Sequence, residues 1–436
     1  MTSQEGALHD KARQVTASEL QWRSLSAYGF MAFPLAFAGL PLYLHVPDFY
    51  ATTLAVPLSA LGLVLLALRV IDALQDPLIG SLSDAYSENR GAILLSGMIL
   101  LGSGFWMVFH PLAAAPLLWF AFSIFLCTTG FSVVAINLQA LGGLWTTHQS
   151  NRTRITGVRE AFGLLGLLCA AITPSLLGHT IDPATSFHLL ASLFLPLLAL
   201  GGLLLMLWLK TAPLMSATQK SEKSINWATL LNTPWRRQFF ALNLLNTFAS
   251  AIPAVLVLFF IRDRLGVESL TGLFLLLYFL SGALSMVIWD KFATRYGKIT
   301  AWGSSMALAC ATFIWASLLG PGDGMAYGII CLLSGLALGA DLAIPPAILA
   351  DHIAGSRQQA DTSRLFSVLT FISKSALALA TGVALPFLGL FGYQPGTIAT
   401  GETAVALSLA YAGGPCLLKA AAFVWVLRAR QTLETR

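Results

Sequence analysis

Residues 51–80 read ATTLAVPLSALGLVLLALRVIDALQDPLIG. The first part of this stretch is apolar for long enough to cross a bilayer as a helix. Arg69, Asp72 and Asp76 lie at or near its inner end. A buried acid at a helix centre costs about 2.5–3.5 kcal/mol even on the mildest insertion scale, so such groups usually face a path filled with water or ions. At 100° per residue the three charges fall within an arc of about 60°. One positive and two negative charges on one face make a net negative pocket, which suits a cation. Pro77 follows at once. It has no N–H, so the carbonyl of Ala73 loses its helical partner and becomes a further oxygen for a small cation.

The rest of the chain has the same character. It is 56% hydrophobic and only 10% charged, with a mean hydropathy of +0.75. Soluble domains carry about 25% charged residues. The chain is therefore an all-α polytopic membrane protein, and its 436 residues suit about twelve helices with short loops. The apolar spans fall at 25–45, 52–79, 92–110, 116–141, 159–178 and 186–209, then at 238–261, 269–289, 299–319, 325–350, 365–389 and 403–427. The first thirteen residues are polar and mixed in charge, unlike a cleaved signal peptide.

An even number of spans puts both termini on one side, and the basic residues say which. Lys11, Arg13 and Arg23 lie in the N-terminal tail. Arg90, Arg152, Arg154, Lys210, Lys220, Lys223, Arg236, Arg237, Lys291, Arg295, Lys298, Arg357 and Arg364 lie in loops on that same side. Arg428, Arg430 and Arg436 end the chain there, and only Arg262 and Arg264 fall opposite. The positive-inside rule makes the first set cytoplasmic, in a cell (inner or plasma) membrane. The same asymmetry accounts for a pI near 9.0 without any role for nucleic acid.

The longest polar break, 210–237, lies near the midpoint. The expected organisation is a cytoplasmic tail (1–24), a six-helix bundle (25–209), a cytoplasmic loop (210–237), a second six-helix bundle (238–428) and a short tail (429–436). A weak repeat supports duplication. After span two comes GSLSDAYSENRG, with Asp84, Arg90 and Gly91; after span eight comes WDKFATRYGK, with Asp290, Arg295 and Gly297. Each has an Asp, a Gly seven residues later and an Arg shortly before the Gly. In such a turn the Asp braces a helix end and the Arg pairs with it across the halves.

These features resemble the major facilitator superfamily, and more closely its glycoside–pentoside–hexuronide:cation symporters of the melibiose permease type. The resemblance runs over nearly the whole chain and is strongest at YGF (28–30) and RVIDALQDPLIG (69–80). It implies that Asp72 and Asp76 bind the coupling cation, Na⁺ or H⁺, beside Gln75, with a hydroxyl from Ser132 of span four. It also implies that Lys374 in ISKS of span eleven, and Arg159 at the start of span five, lie near the substrate. Tyr28 belongs to the same pathway. The family's sugar-gripping acids fall at about Ala36 and Ala135, and its span-ten aromatic at about Leu342. The cation half of the machine is kept and the galactoside half is not.

Other polar residues lie within spans. Asp341 in LGADLAIPP has about nine residues, near 13 Å of helix, before the cytoplasmic end. No basic residue lies within a turn of it. It is expected to face the substrate pathway, either neutral or paired with Lys374 or Lys419, and Lys374 is the favoured partner because spans ten and eleven are joined by a short loop. Pro345 and Pro346 are expected to break that helix. Asn137 and Gln139 of span four, with Asn243 and Asn246 of span seven, line a polar pathway or tie helices together. His45 and His110 sit near the outer surface. Cys127, Cys169, Cys310, Cys331 and Cys416 lie within spans, without metal-ligand spacing, as packing residues. No zinc motif, nucleophile elbow, Walker sequence or dinucleotide fingerprint is present.

The reading is a secondary active transporter that couples a cation to symport of a small polar, sugar-like solute by alternating access. Its partners are that solute and the lipid bilayer, it acts as a monomer, and it needs no cofactor beyond the coupling ion. An amphipathic cargo such as a lysolipid is the alternative. A polytopic enzyme is a remote one, because His148, His352 and Asp351 form no recognisable catalytic constellation.

Overall fold

Lipid offers no hydrogen bonds to a bare backbone, so each span must satisfy its own N–H and C=O groups, and a helix does so. The computed structural model describes residues 21–42, 46, 49, 50, 54, 56–112, 114–177, 183–215, 227–356, 359–394 and 396–434. Span one is two short helices, Trp22–Gly29 and Ala32–Leu40. Spans two to six are Leu58–Ala85, Arg90–Phe109, Pro116–Leu144, Gln149–Leu177 and Pro183–Thr211. Spans seven to eleven are Pro234–Phe259, Thr271–Tyr296, Lys298–Phe313, Gly324–Gly355 and Thr362–Leu390. Span twelve is Gly401–Ser408 and Gly414–Glu434, joined by a π-helical turn. Among the described residues, nine helices are long and apolar enough to cross a membrane: spans three, four and six to twelve. Spans two and five are 28 and 29 residues long, and they carry Asp72, Asp76 and Arg159.

Each bundle is held by apolar packing. Tyr28, Phe105, Phe194 and Trp208 belong to the first-bundle core. The second bundle has one core around Phe239 and Trp302 and another around Phe260 and Tyr411.

Several helices run further than the apolar pattern suggested. Span five begins at Gln149, so Arg152 and Arg154 are helical and Arg159 lies inside the helix instead of opening it. Span ten is one continuous helix through Pro345 and Pro346, which corrects the expected break. The two prolines still leave the carbonyls of Asp341 and Leu342 without helical partners. Span two likewise runs unbroken through Pro77. Lys11, Arg13, His45, Lys220, Lys223, Arg357 and Arg436 lie outside the described residues.

The bundles meet at the end that carries Asp84, the end the basic residues assign to the cytoplasm. Asp84 Oδ1 and Oδ2 accept the main-chain N–H groups of Ser363 and Arg364, each at 2.9 Å. Those are among the first donors of span eleven, which have no partner within their helix. Arg90 donates to Ser363 Oγ at 2.8 Å and lies 3.3 Å from Asp84. Gly80 makes this contact possible. A Cβ there would lie 2.5 Å from Ser367 Oγ and 2.8 Å from the Ser363 carbonyl. On the other flank, Arg152 meets Asp351 at 3.2 Å, Lys298 reaches both Asp351 and the Gln149 carbonyl, and Thr156 donates to the Ala343 carbonyl at 2.7 Å.

The two copies of the turn motif therefore differ. Asp84 is hydrogen-bonded across the bundles, whereas Asp290 Oδ1 is buried without a hydrogen-bond partner, with Arg154 and Lys298 nearby. Arg90 makes its ion pair with the Asp of its own turn, and what it reaches across the halves is the Ser363 hydroxyl. Arg295 is exposed and stacks on Tyr296 at 5.3 Å. Gly91 is an ordinary helical residue, while Gly297, at φ +87°, makes a real reversal.

The orientation has a direct test. With the five native cysteines replaced by serine, Glu88→Cys and Arg237→Cys should react with an impermeant thiol reagent only from the cytoplasmic side. Glu268→Cys should react only from outside. The opposite pattern would invert the assignment of every loop.

Candidate functional site

The two acids of span two are buried: Asp76 is fully enclosed and Asp72 nearly so. The group that meets them comes from the other bundle. Lys374 Nζ lies 2.8 Å from Asp72 Oδ1 and 2.8 Å from Asp76 Oδ1. It also donates to Ser132 Oγ at 2.7 Å and to the Asp72 carbonyl at 3.2 Å. Four oxygens of the first bundle thus surround one ammonium of the second. This corrects the expected partner of Lys374, which is the acid pair of span two and not Asp341. The pocket still carries one negative charge more than Lys374 supplies, and Asp76 Oδ2 is buried without a hydrogen-bond partner.

The surroundings fix the acids in place. Gln75 Nε2 donates to Asp72 Oδ1 at 2.9 Å, and Thr129 Oγ1 donates to Gln75 Oε1 at 3.0 Å. Gln75 thus orients Asp72 and spends its own oxygen on Thr129, instead of offering it to a cation. Ser132 donates to Asp72 Oδ1 at 3.1 Å while accepting from Lys374. Thr129, three residues before Ser132 on the same face of span four, was not singled out by sequence. Arg69 stands at the exposed surface of span two, although a simple helical wheel puts it beside the acids.

The remaining pathway residues divide into three groups. Arg159 is buried and paired with Glu160, its Nε 3.0 Å from Glu160 Oε1, and one of its donors, Nη1, has no partner. Its guanidinium lies beside Tyr28, whose hydroxyl donates to the Leu138 carbonyl at 2.8 Å. Asn137 ties helices together, donating to Ser83 Oγ at 2.8 Å and the Val133 carbonyl at 2.9 Å. Gln139 is half-buried on another face of span four and Asn243 is buried on span seven. Asp341 pairs with Lys419 at 2.6 Å and accepts from Asn246 at 3.2 Å. Lys419 is the partner that the short-loop argument passed over.

Among the described residues, no group of three or more His, Cys, Asp or Glu side chains could hold a metal ion. An oxygen nest on a carboxylate pair is a different kind of site. Two carboxylates, a hydroxyl and a main-chain carbonyl are hard donors of the type that hard cations take. A cavity of about 960 Å³ at the cytoplasmic end, lined by Trp235, Lys298, Asp351 and His352, contains none of these cation-site residues.

Residues 25–431 match the MFS/sugar transport protein family, and the chain belongs to that family. It is similar to the uncharacterized symporter YjmB of Bacillus subtilis (strain 168), 21% identical over 90% of this chain and 88% of that one. It is also similar to a glucuronide carrier protein homolog of Escherichia coli (strain K12), 24% identical over 93% of this chain and 92% of that one. Its fold matches that of a bacterial homologue of the iron transporter ferroportin in an outward-facing state, with a TM-score of 0.73 at 15% identity, over 94% of this chain and 99% of that one. The E. coli fucose:proton symporter matches with a TM-score of 0.70 at 14% identity, over 95% and 98% of the chains. The chain is thus a multi-pass membrane transporter of the secondary active type, which carries a small molecule across the bilayer and is not an enzyme.

Proposed function

We propose that the protein is a cation-coupled symporter of a small, sugar-like polar solute, with Asp72, Asp76 and Ser132 as the site of the coupling ion, Na⁺ or H⁺. The observation that carries this reading is the position of the Lys374 ammonium, amid four oxygens that would otherwise hold a cation. Lys374 acts as a tethered cation. It neutralises one of the two acids while the ion is absent and leaves when the ion arrives. Because the acids belong to one bundle and the lysine to the other, this exchange changes a contact between bundles. A ligand shifts a two-state equilibrium only through such differential contacts. Gln75 and Thr129 hold Asp72 in position for the exchange.

The solute contacts are assigned to Arg159, through its unpartnered donor, and to Tyr28 beside it. The names of the glucuronide carrier homolog and the fucose:proton symporter support a sugar-like cargo. Both termini are assigned to the cytoplasm of a cell membrane, and alternating access proceeds by rocking of the two bundles about the charged midplane. The test is uptake of a panel of sugars, glycosides and sugar acids into proteoliposomes, with and without a Na⁺ gradient and at two pH values. Accumulation of one solute that requires either gradient supports the reading. Transport of lysolipids alone, or equilibration indifferent to both gradients, overturns it.

A further inference from the structure

Spans seven and twelve meet at the end of the molecule that carries Asp84. Trp235, at the start of span seven, stacks on His352 beside the Asp351 of the inter-bundle contact, and its Nε1 donates to the Leu433 carbonyl of span twelve at 3.2 Å. Between the two helices runs a groove of about 700 Å³. One side of it is a stripe of span twelve: Leu417, Ala420, Ala421, Val424 and Arg428. At 100° per residue these positions fall within an arc of about 100°. The paired alanines make the depression, because the longer side chains before and after them stand above their methyl groups. Gln238 of span seven forms the other side. Leu417 is 73% exposed, and Ala421 and Arg428 are exposed as well, so the groove opens away from the bundle, toward lipid.

The groove has the length of one leaflet. Leu417 and Arg428 are about 16 Å apart along the helix axis, and the hydrocarbon of half a bilayer is about 15 Å deep. The deep end is apolar and the shallow end is not. Among the described residues no acid pairs with Arg428, whereas Arg430 is already held by Glu434 at 2.8 Å. Trp425, one turn before Arg428, lies where indole rings collect at a membrane surface. Gln238 Oε1 is buried without a hydrogen-bond partner, an acceptor that calls for a donor.

We propose that this groove is a binding site for one anionic phospholipid with a hydroxylated headgroup, of the phosphatidylglycerol type. One acyl chain lies along Ala420 and Ala421, the phosphate meets the Arg428 guanidinium, and a headgroup hydroxyl donates to Gln238 Oε1. In a bilayer some acyl chain must fill an apolar groove on the lipid face, and the charged end decides which lipid supplies it. Arginine suits a phosphate because its planar fork donates two parallel hydrogen bonds. Phosphatidylcholine brings a phosphate but no net charge and no O–H or N–H donor, so it satisfies the groove and leaves Gln238 and the charge of Arg428 unanswered. Every residue of the site belongs to the second bundle, so the proposal stands apart from the coupling-ion and solute readings.

Native mass spectrometry of the full-length protein tests this, with delipidated samples titrated with phosphatidylglycerol or phosphatidylcholine of the same acyl chains. The wild type should hold its first phosphatidylglycerol at least about tenfold more tightly than phosphatidylcholine, the effect of one charge-assisted contact. Arg428→Gln should remove most of that preference. Ala421→Phe, which fills the groove and leaves the charge, should weaken binding of both lipids. Arg430→Gln removes a charge from the same end but outside the groove, and should leave the preference as it is. All three positions face away from the core, and a melting curve for each variant confirms that it is folded. Equal binding of the two lipids by the wild type, an unchanged preference in Arg428→Gln, unchanged binding in Ala421→Phe, or an equal loss in Arg430→Gln would each overturn the proposal.

Discussion

Asp72→Asn and Asp76→Asn are each expected to abolish gradient-driven accumulation of solute while leaving a folded, inserted protein. Both remove an oxygen anion from the nest around Lys374 and about one unit of negative charge from the pocket. The pair left in each variant, one acid and one lysine, is neutral, so the lysine has no competitor: a metal cation gains nothing by displacing it. Accumulation should fall to the level of passive equilibration, a loss of at least about 100-fold if coupling is worth about 3 kcal/mol, within the usual range for linked sites. Exchange of solute down its own gradient is expected to persist, because Arg159 and Tyr28 are untouched. Proteoliposome uptake with and without an imposed gradient separates the two. Normal accumulation in either variant would exclude that acid from coupling.

The second large effect is expected at the cytoplasmic contact. Asp84→Ala removes the acceptor of two main-chain N–H groups of span eleven and strands the buried Arg90. Breaking a buried pair from one side costs about 3–5 kcal/mol, which would shift a two-state equilibrium by a factor of about 100 or more. Gly80→Leu reaches the same end by volume, since its side chain would occupy the space of Ser367 and the Ser363 carbonyl. Both variants should populate a state with separated cytoplasmic ends. Spin labels at Glu88→Cys and Lys291→Cys, both exposed positions, should show a distance distribution displaced to longer values. Folded variants with the wild-type distribution would mean that the contact does not hold the closed state.

Much of this was legible from the sequence because lipid makes charge conspicuous. Asp72 and Asp76 stood out in an apolar run, and the family resemblance pointed to Ser132. What failed was pairing over long range. Lys374 meets acids 298 and 302 residues away, and a preference for chain neighbours assigned it to Asp341 instead. The charge count held the missing signal: two acids in lipid demand a cation from elsewhere, and the second bundle has Lys374 and Lys419 to distribute. Gln75 shows a different limit. Sequence can place a carboxamide beside an acid, but whether its oxygen or its N–H₂ faces that acid depends on Thr129, one span away. The doubled proline of span ten misled in a third way. Proline removes donors from a helix, but within a packed bundle the helix can run on regardless.

The central claim is that Lys374 and the coupling ion compete for one nest of oxygens. Cation titration of purified Lys374→Ala beside the wild type tests it most directly, with thermal shift as the readout and Na⁺ added to a potassium-free buffer near pH 8. Without its tethered competitor the acid pair should bind Na⁺ at least about tenfold more tightly, equivalent to about 1.4 kcal/mol. The apo variant should also melt below the wild type, because two buried acids are then left unpaired. If the ion is H⁺, the same variant should instead bind protons more readily, and its melting temperature should rise as pH falls. Unchanged or weaker binding of both ions by Lys374→Ala would contradict the account.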